Sequence, residues 1–466
     1  MNAHDSDRME EVLRGHGWRA AETPAEADLI VLNTCSVREK AEQKLRSEVG
    51  KLAPLKRENP GLVLAVAGCV AQQEGEKLLE RVRHLDLVIG PDNIADLPAL
   101  VLDQMAGAPP RAHTVFDLDA PRFLAAAPAR GSTSTPVSAF VTTMKGCDER
   151  CSFCIVPYTR GPERYRPATE IVDEIARWVE AGSREVTLLG QTVDSYRDPS
   201  LPPPASSDPD ESQFPALLRA IAERVPGLGR LRYTSPHPRH ATAALAEAHA
   251  ELDVLARHVH MPAQSGSDRI LKRMIRRYTR VEYVERVRRL AAARPGITLS
   301  TDIIVGFPGE TDADFEATLD LVREVGFVSL FGFKYSPRPY TPALKLEDDV
   351  PEAVKSERLA RLFEVAEAQT RAHLDRLVGT TQRVLVEGAS KTAGRVSGRT
   401  EQNEIVHLDA GDLDLTGAVV EVAIVRAYKH SLFAEMTPAA RDALAAAPRP
   451  SAPRAPRRRR ALTLLS

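Results

Sequence analysis

The sequence is short of cysteine, of long hydrophobic runs and of net charge. Its 466 residues include five cysteines, three of them crowded on one stretch, which excludes a disulfide framework and suits a reducing compartment. No run of about 18 apolar residues occurs and Met1 is followed by polar residues, so we expect a cytoplasmic protein without membrane spans. The net charge of −2 excludes a globally basic chain, so any RNA site must be a local basic patch.

The chain contains enough apolar sequence, 43% of its residues, for two or three domains. In residues 1–105, three short apolar runs alternate with helical patterns, which predicts an α/β domain with a doubly wound parallel sheet. Cys35 and Cys69 each follow one of these runs, at strand ends where ligands of such sheets bind. A free cysteine is often only a small buried side chain, so the sequence leaves a shared site and simple packing equally open.

The most informative stretch is residues 145–154, where Cys147, Cys151 and Cys154 have CxxxCxxC spacing. Three thiolates can hold three corners of a four-iron cluster and leave the fourth iron open to a small molecule. A structural zinc site instead closes with four ligands, usually arriving in two pairs, and no second pair follows here. The spacing therefore favours an iron–sulfur cluster over zinc.

Composition changes along the rest of the chain predict four further segments. Residues 106–135 are rich in Ala, Pro, Gly, Ser and Thr and are predicted to be a linker. Residues 136–376 repeat a strand–helix pattern, which predicts an open or closed β/α barrel. Residues 377–438 contain short β-rich runs typical of a small antiparallel barrel. Residues 439–466 are predicted to be a disordered basic tail.

Polar or flexible residues close several strands of the predicted β/α barrel and are candidates for binding a cofactor. They are Gln191, Ser235, Gln264, Asp302 and Gly306. Glycine at such a strand end lets the backbone approach a ligand closely, although ordinary turn chemistry explains a single glycine equally well.

Residues 272–280 combine cations with an aromatic side chain. This composition is typical of a patch that faces RNA phosphates, and equally of a solvated helix face. The candidate RNA-binding residues are Lys272, Arg273, Arg276 and Arg277.

Several stretches together resemble the MiaB family of radical SAM tRNA methylthiotransferases. They are residues 33–42 (NTCSVREKAE), 68–72 (GCVAQ), the cysteine stretch with its PYTRG continuation, 189–191 (LGQ), 264–268 (QSGSD) and 333–339 (FKYSPRP). The resemblance runs from residue 1 to residue 438. The SVREKAE sequence after Cys35 favours this family over the sister enzymes that modify threonylcarbamoyl-adenosine in tRNA or a ribosomal protein.

The resemblance implies a central radical SAM core shaped as a partial β/α barrel and a C-terminal TRAM RNA-binding barrel. Cys147, Cys151 and Cys154 would bind the 4Fe-4S cluster that holds S-adenosylmethionine, and Cys35 and Cys69 an auxiliary 4Fe-4S cluster. A 5′-deoxyadenosyl radical would remove hydrogen from C2 of N(6)-dimethylallyladenosine beside the anticodon, and a second S-adenosylmethionine would supply the methyl group. The implied partners are a tRNA anticodon stem-loop and an electron donor such as flavodoxin or ferredoxin, for a monomeric enzyme.

Two features depart from the family pattern. The family's first auxiliary cysteine lies in a motif ending Gln-Met-Asn, and this sequence, starting Met1-Asn2, aligns just after it. We therefore expect the first strand and first ligand to be absent here, through a misplaced start codon or in a protein with a labile auxiliary cluster. Such a protein would be either impaired in methylthiolation or an RNA-binding iron–sulfur protein without catalysis. The second departure is Tyr340, where the family usually has glycine.

Overall fold

The computed structural model describes residues 2–35, 39–119, 121–125, 135–204, 206–392, 394–411 and 413–446. Its strands form a four-stranded parallel sheet, two three-stranded parallel sheets with a small hairpin, and a closed barrel. The predicted fold class is confirmed: an α/β chain with a doubly wound sheet, a partial β/α barrel and a C-terminal β-barrel. None of the described helices is long and apolar enough to cross a membrane.

The N-terminal sheet has the order β1-β2-β3-β4. Its strands are β1 (Leu29–Asn33), β2 (Val63–Ala67), β3 (Leu87–Ile89) and β4 (Arg111–His113), and its helices are α1 (Asn2–Gly15), α2 (Glu39–Glu58), α3 (Cys69–Glu74), α4 (Glu76–Arg81) and α5 (Leu97–Met105). Alternate strand residues pack into two separate apolar clusters, one with α2 and α4 and the other with α1 and α5. The inner strands β2 and β3 are apolar throughout because helices cover both faces of the sheet.

The predicted linker, residues 106–135, needs a correction at its start. Residues 111–113 form β4, which pairs in parallel with β3. The strand consists of Arg111, Ala112 and His113, all half-buried at the sheet edge. An edge strand of this kind lacks the apolar run from which strands were predicted, so the pattern could not reveal it.

The central region is an arc of six parallel strands. Its strands are β5 (Ser138–Thr142), β8 (Glu185–Leu189), β9 (Arg230–Tyr233), β10 (His258–His260), β11 (Thr298–Val305) and β12 (Ser329–Lys334), and β6 (Met144–Lys145) pairs with β7 (Arg164–Tyr165) in a separate hairpin. The sheets β5-β8-β9 and β10-β11-β12 are joined where the Leu231 amide donates to Val254 O at 2.7 Å and the Ala256 amide donates to Leu231 O at 3.0 Å. The strands therefore form one continuous half-barrel.

Helices cover the convex face of this half-barrel. The helices of this region are α6 (Val156–Arg160), which follows the cysteine loop, α7 (Ala168–Glu180), α8 (Phe214–Arg224), α9 (Ala243–Glu251), α10 (Asp268–Arg273), α11 (Arg280–Ala293), α12 (Asp312–Val325) and α13 (Glu352–Leu377). Alternate strand residues such as Val141, Leu188 and Ile303 are fully buried in one large core with α7, α8, α11 and α12. The intervening strand residues face the concave side, where a substrate can enter.

One buried histidine of this core gives a pH prediction. His249 on α9 is 1% exposed and its Nε2 lies 2.7 Å from the Tyr233 hydroxyl. Burial, helped by Arg294, lowers the pKa of His249 to about 4. Because the unfolded chain takes up this proton at higher pH, the stability from His249 is complete above pH ~6.5 and declines as pH falls toward 4.

We expect the half-barrel to lose about 2 kcal/mol from His249 between pH 7 and pH 5, or ~4–8 °C in Tm. His249→Gln keeps a hydrogen-bonding side chain without the titration, so its Tm is expected to fall less over the same pH interval. The exposed His430→Gln is the matched control and should behave like the unmodified protein. Calorimetric Tm values at both pH values test this prediction. An equal fall in Tm between pH 7 and pH 5 for all three proteins would contradict it.

The C-terminal barrel is closed in the order β13-β14-β15-β17-β16. Its strands are β13 (Thr381–Ala389), β14 (Arg395–Arg399), β15 (Ile405–Asp409), β16 (Val419–Ala427) and β17 (Leu432–Met436). The barrel is tied to the half-barrel because Arg230 and Arg232 donate to the Thr400 carbonyl oxygen at 3.1 and 3.0 Å. Glu185 accepts from Arg232 Nε at 2.9 Å, which compensates the charge at this junction.

The predicted disordered tail, residues 439–466, also needs a correction. Residues Pro438–Ala446 form helix α14, whose Ala440 amide donates to Thr437 Oγ1 at 3.2 Å. Ala440 also packs against the barrel core. Proline at the first helical position favours such a start, a signal that the Ala/Pro composition concealed. The rest of the predicted tail lies outside the described residues.

Candidate functional site

The cysteine loop connects the two strands of the β6–β7 hairpin at one end of the half-barrel. The Cys147 amide donates to Gly161 O at 3.1 Å and the Cys154 amide donates to Cys151 O at 3.0 Å. Gly146, just before the first cysteine, has φ +76°, and a Cβ there would coincide with the Pro162 carbonyl oxygen. Only glycine fits this conformation and this approach of two chains.

Gly146→Ala is therefore expected to disrupt the cysteine loop. Relieving the overlap requires moving the hairpin, at a cost of about 1–3 kcal/mol beyond the strain of the positive φ alone. Gly296→Ala is the matched control, because Gly296 has φ +80° but open space around it. We expect iron per purified chain to fall for Gly146→Ala and to stay at the unmodified level for Gly296→Ala. Equal iron contents in the two variants would contradict this account of the loop.

All three loop cysteines line one cavity of about 140 Å³. The predicted cofactor residues Gln191, Ser235 and Gln264 line the same cavity. Ser235 and Gln264 have φ of 58° and 68°, a left-handed conformation that non-glycine residues seldom adopt outside functional sites. The structure thus brings strand ends from across the half-barrel to the cysteines, as the strand-end argument predicted.

The thiols of this cavity fit an iron–sulfur cluster. Burial raises the pKa of Cys147 above its ordinary value and that of Cys154 to about 12, so these thiols stay protonated unless a metal replaces the proton. Among the described residues, no three Cys, His, Asp or Glu side chains converge on one position as ligands of a single ion would. A cluster that takes one thiolate per iron has no need of such convergence.

Arg276 is the predicted residue whose position differs most from expectation. It is 5% exposed, and its Nη1 donates to Cys151 Sγ at 3.3 Å. Burial opposes its charge, but Tyr278 and Cys151 outweigh burial and raise the pKa of Arg276. The prediction that Arg276 faces RNA phosphates does not fit this burial. Its guanidinium instead supports negative charge on Cys151.

The other members of the basic run lie outside the cavity. Lys272 and Arg277 are exposed, and Arg273 is half-buried with its Nε donating to Pro308 O at 3.0 Å. Helix α10 ends at Arg273, and Ile275 and Arg277 have φ of 57° and 56°. Side chains after Arg273 consequently alternate between the interior and solvent rather than following a helix face.

Asp302 and Gly306 do not line the cysteine cavity. Gly306 has φ +68°, and a Cβ there would overlap the Lys355 side chain of α13, so close packing of helix α13 already requires this glycine. Asp302 is half-buried on the concave face, with its Oδ2 3.4 Å from His260 Nε2.

The concave face next to Asp302 combines exposed aromatic rings with polar groups. Phe140 and Phe331 are 43% and 49% exposed and belong to β5 and β12, the two outermost strands of the half-barrel. Register places Phe140 in one row with Thr187 and Arg232, and the ring of Phe331 contacts that of His260 with centroids 5.9 Å apart. Exposed phenylalanines on an inner barrel face suit a planar or apolar ligand.

Cys35 and Cys69 lie at equivalent strand ends of the N-terminal sheet. Asn33 of β1 pairs with Ala67 of β2, so the two cysteines occupy matching positions two residues beyond. A Cβ at Gly68 would overlap the Asn33 side chain and the Thr34 carbonyl, which explains how the chain before Cys69 approaches β1 so closely.

A buried ion pair links these cysteines to the cysteine loop. Helix α3, which begins at Cys69, packs on α6, which follows Cys154. Arg160 of α6 donates to Asp5 Oδ2 at 2.5 Å and also hydrogen-bonds Cys69. Burial opposes its charge, but Asp5 and Cys69 outweigh burial and raise the pKa of Arg160. Arg160 thus connects Cys69 of the N-terminal domain to the helix that follows the cysteine loop.

Sequence reasoning missed two further polar groups at the cavity. Thr192 Oγ1 lies 2.9 Å from Cys147 Sγ. His237 also lines the cavity, and its Nδ1 accepts from the Arg239 amide at 3.2 Å, so its Nε2 carries the proton. Burial lowers the pKa of His237 well below its ordinary value, which keeps the ring neutral. Neither residue had a spacing signal; only their closeness to strand ends pointed to the site.

Three family models match parts of this chain. Residues 141–322 match the model of the radical SAM superfamily, residues 375–437 that of the TRAM domain, and residues 1–90 that of an uncharacterized protein family, UPF0004. A solved structure of the radical S-adenosylmethionine methyltransferase TsrM from Kitasatospora setae is similar over 84% of this chain and 72% of its own, with 16% identity and a TM-score of 0.47. The fold, the cysteine loop and the family models define a radical SAM protein with a TRAM domain.

Relatives that match most of the chain identify its family within the radical SAM class. The tRNA-2-methylthio-N(6)-dimethylallyladenosine synthase of Sorangium cellulosum is 68% identical over 95% of this chain and 92% of its own length. The protein of the same name from Ralstonia nicotianae is 46% identical over 93% of this chain and 94% of its own. The chain belongs to the family of tRNA-2-methylthio-N(6)-dimethylallyladenosine synthases, as the motifs predicted.

Proposed function

We propose that this protein is a radical SAM methylthiotransferase that modifies C2 of N(6)-dimethylallyladenosine next to the anticodon of tRNA. The observation that carries the proposal is the cavity in which Cys147, Cys151 and Cys154 meet strand-end polar groups, in a chain of this family. A C2–H bond of adenine is too inert for acid–base chemistry, so cofactors must perform the difficult step.

In this proposal Cys147, Cys151 and Cys154 would hold a 4Fe-4S cluster that binds S-adenosylmethionine. When bound, that cluster supplies the electron for reductive cleavage of S-adenosylmethionine. Arg276 and the Thr192 hydroxyl support charge on Cys151 and Cys147. Gln191, Ser235 and Gln264 offer polar groups to S-adenosylmethionine, and half-buried Phe153 limits access of water.

The target base enters the concave face of the half-barrel. Bases of an anticodon loop are unpaired and can be splayed into a pocket. Phe140 and Phe331 present apolar surface to the adenine ring and its dimethylallyl group, and Asp302 with His260 provides polar groups at the same face. Gly306 shapes the strand end beyond Asp302.

The N-terminal domain contributes the sulfur-transferring part. Cys35 and Cys69 are proposed as ligands of an auxiliary 4Fe-4S cluster, which Arg160 would hold beside the cysteine loop. The exposed Lys272 and Arg277 with Arg273, together with the TRAM barrel, would contact tRNA phosphates. An electron donor such as flavodoxin or ferredoxin, a monomeric state and a cytoplasmic location complete the proposal.

Nucleoside analysis of tRNA from a strain lacking this gene tests the proposal. Mass spectrometry is expected to show N(6)-dimethylallyladenosine without its 2-methylthio derivative, and the gene on a plasmid is expected to restore the derivative. Unchanged 2-methylthio-N(6)-dimethylallyladenosine would overturn the proposal. Loss of the methylthio group from threonylcarbamoyl-adenosine or from a ribosomal protein would assign the chain to a sister activity instead.

A further inference from the structure

Tyr340 combines backbone strain with exposure. Its φ is +66° and its side chain is 56% exposed. A bulky residue in the left-handed region is unusual, and such conformations persist at ligand clamps when the surroundings hold them. Nothing in the packing of an exposed ring requires tyrosine here, since glycine adopts this backbone conformation without strain.

The ring of Tyr340 contacts a second exposed tyrosine. Tyr158 on α6 is 43% exposed, and the two ring centroids lie 6.0 Å apart with planes tilted by 34°. Tyr158 follows Cys154 by four residues, so the pair lies beside the cysteine loop. The rings touch each other, so a planar ligand has access to the outer face of Tyr340 rather than to a slot between them.

Hydrogen bonds hold the Tyr340 segment in place. The Ala343 amide donates to Ser152 O at 2.8 Å, which ties the segment to the cysteine loop. On the N-terminal side, Thr341 Oγ1 donates to Arg338 O at 2.7 Å. The ring of Tyr340 is therefore presented from a fixed backbone at a fixed place relative to the cysteines.

Exposed cations lie on the segments that are linked to this aromatic pair. The Ser152 amide donates to Met274 O at 2.9 Å, so hydrogen bonds connect the cysteine loop to the basic run as well as to the Tyr340 segment. Each of these segments carries an exposed cation: Arg150, Arg277 and Lys345 respectively. Aromatic rings among exposed cations bind single-stranded nucleic acid, because bases stack on the rings while cations contact the phosphates.

We propose that Tyr340, backed by Tyr158, is a stacking platform for an unpaired nucleobase of the RNA, adjacent to the base that enters the half-barrel. The inference rests on the proposed function, because it takes the RNA substrate from there. Stacking a neighbouring base on Tyr340 would hold the loop open and orient the target base toward the cysteine cavity. The platform accepts any base, since every base has a π-face.

The test measures binding of a fluorescent anticodon stem-loop RNA containing N(6)-dimethylallyladenosine by anisotropy. Glycine and asparagine tolerate the positive φ and lack the ring. We expect Tyr340→Gly and Tyr340→Asn each to raise Kd about tenfold without lowering Tm. Tyr340→Phe keeps the ring and is expected to bind within about twofold of the unmodified protein. Replacing the base next to the modified adenosine by an abasic sugar should remove the difference in Kd between the unmodified protein and the Tyr340→Gly variant.

Three outcomes would overturn the platform: unchanged Kd for Tyr340→Gly, an equal loss with the abasic RNA, or weaker binding only where Tm also falls. Slower reduction by flavodoxin with unchanged RNA affinity would likewise overturn it and assign the pair to the electron donor. A failure of the proposed function gives a different result. If the unmodified protein forms no methylthio product in the nucleoside assay, the proposed function is wrong, while the Kd values of the variants can still be compared. Unchanged Kd with normal product formation overturns the platform alone.

Discussion

Replacing Cys154 by serine is expected to abolish formation of 5′-deoxyadenosine from S-adenosylmethionine under dithionite and to remove about four irons per chain. Cys154 lines the cavity together with Cys147 and Cys151, and a cluster held by three thiolates loses one of them in this variant. Serine is nearly isosteric but a poor ligand for iron, so the variant is expected to fold while the cluster is lost.

Cys69→Ser is the matched control for this variant. Cys69 is buried where Cys154 is half-buried, and it begins α3, which packs on the helix α6 that follows the cysteine loop, so the substitution removes a thiol of the other cysteine group. We expect it to retain cleavage of S-adenosylmethionine and to lose methylthiolation, because the proposed function assigns cleavage to the loop and sulfur transfer to the N-terminal domain. Cleavage at the unmodified rate in Cys154→Ser would contradict the assignment of the loop.

Replacing Arg276 by glutamine is expected to lower the cleavage rate about 10–100-fold, the usual effect of removing a partner of a metal ligand. Its guanidinium donates to Cys151 Sγ at 3.3 Å in a buried setting, where a positive charge stabilises electrons added to the cluster. The midpoint potential of the cluster is therefore expected to become more negative. Arg276→Lys keeps the positive charge, so its midpoint potential is expected to lie between those of Arg276→Gln and the unmodified protein.

Arg277→Gln separates electrostatic support of the cluster from RNA binding. Arg277 is adjacent in sequence, but its backbone is left-handed and its side chain is exposed. We expect this variant to keep the potential and cleavage rate and to weaken tRNA binding, with a smaller dependence of affinity on salt. If the two variants changed potential and RNA affinity alike, the division between the buried and the exposed arginine would be wrong.

The contrast between Arg276 and Arg277 shows where sequence reasoning reached its limit. The sequence shows the run of cations and leaves two alternatives equally open, a patch that faces RNA phosphates and a solvated helix face, both of which would expose Arg276. Helix α10 ends at Arg273, and residues 275 and 277 are left-handed. As a result, successive side chains after the helix lie alternately in the interior and in solvent. Such a turn has no hydrophobic period, so a pattern search cannot locate it.

The features that were predictable from sequence are those with fixed spacing or long apolar runs. The cysteine loop is one, because the CxxxCxxC spacing lies within a single short stretch of sequence. The paired positions of Cys35 and Cys69 are another, because parallel strands bring their ends to one edge. The short edge strand β4, the ion pair of Asp5 with Arg160 and the ring contact of Tyr340 depend on tertiary packing, and no local pattern encodes them.

Product analysis with purified components tests the central claim most directly. The protein, with iron and sulfide restored anaerobically, is incubated with S-adenosylmethionine, a reductant and tRNA carrying N(6)-dimethylallyladenosine; matched tRNAs carry unmodified adenosine or threonylcarbamoyl-adenosine at the same position. We predict 5′-deoxyadenosine together with 2-methylthio-N(6)-dimethylallyladenosine from the first tRNA alone. A methylthio product from the threonylcarbamoyl tRNA only, or RNA binding without 5′-deoxyadenosine, would contradict the account.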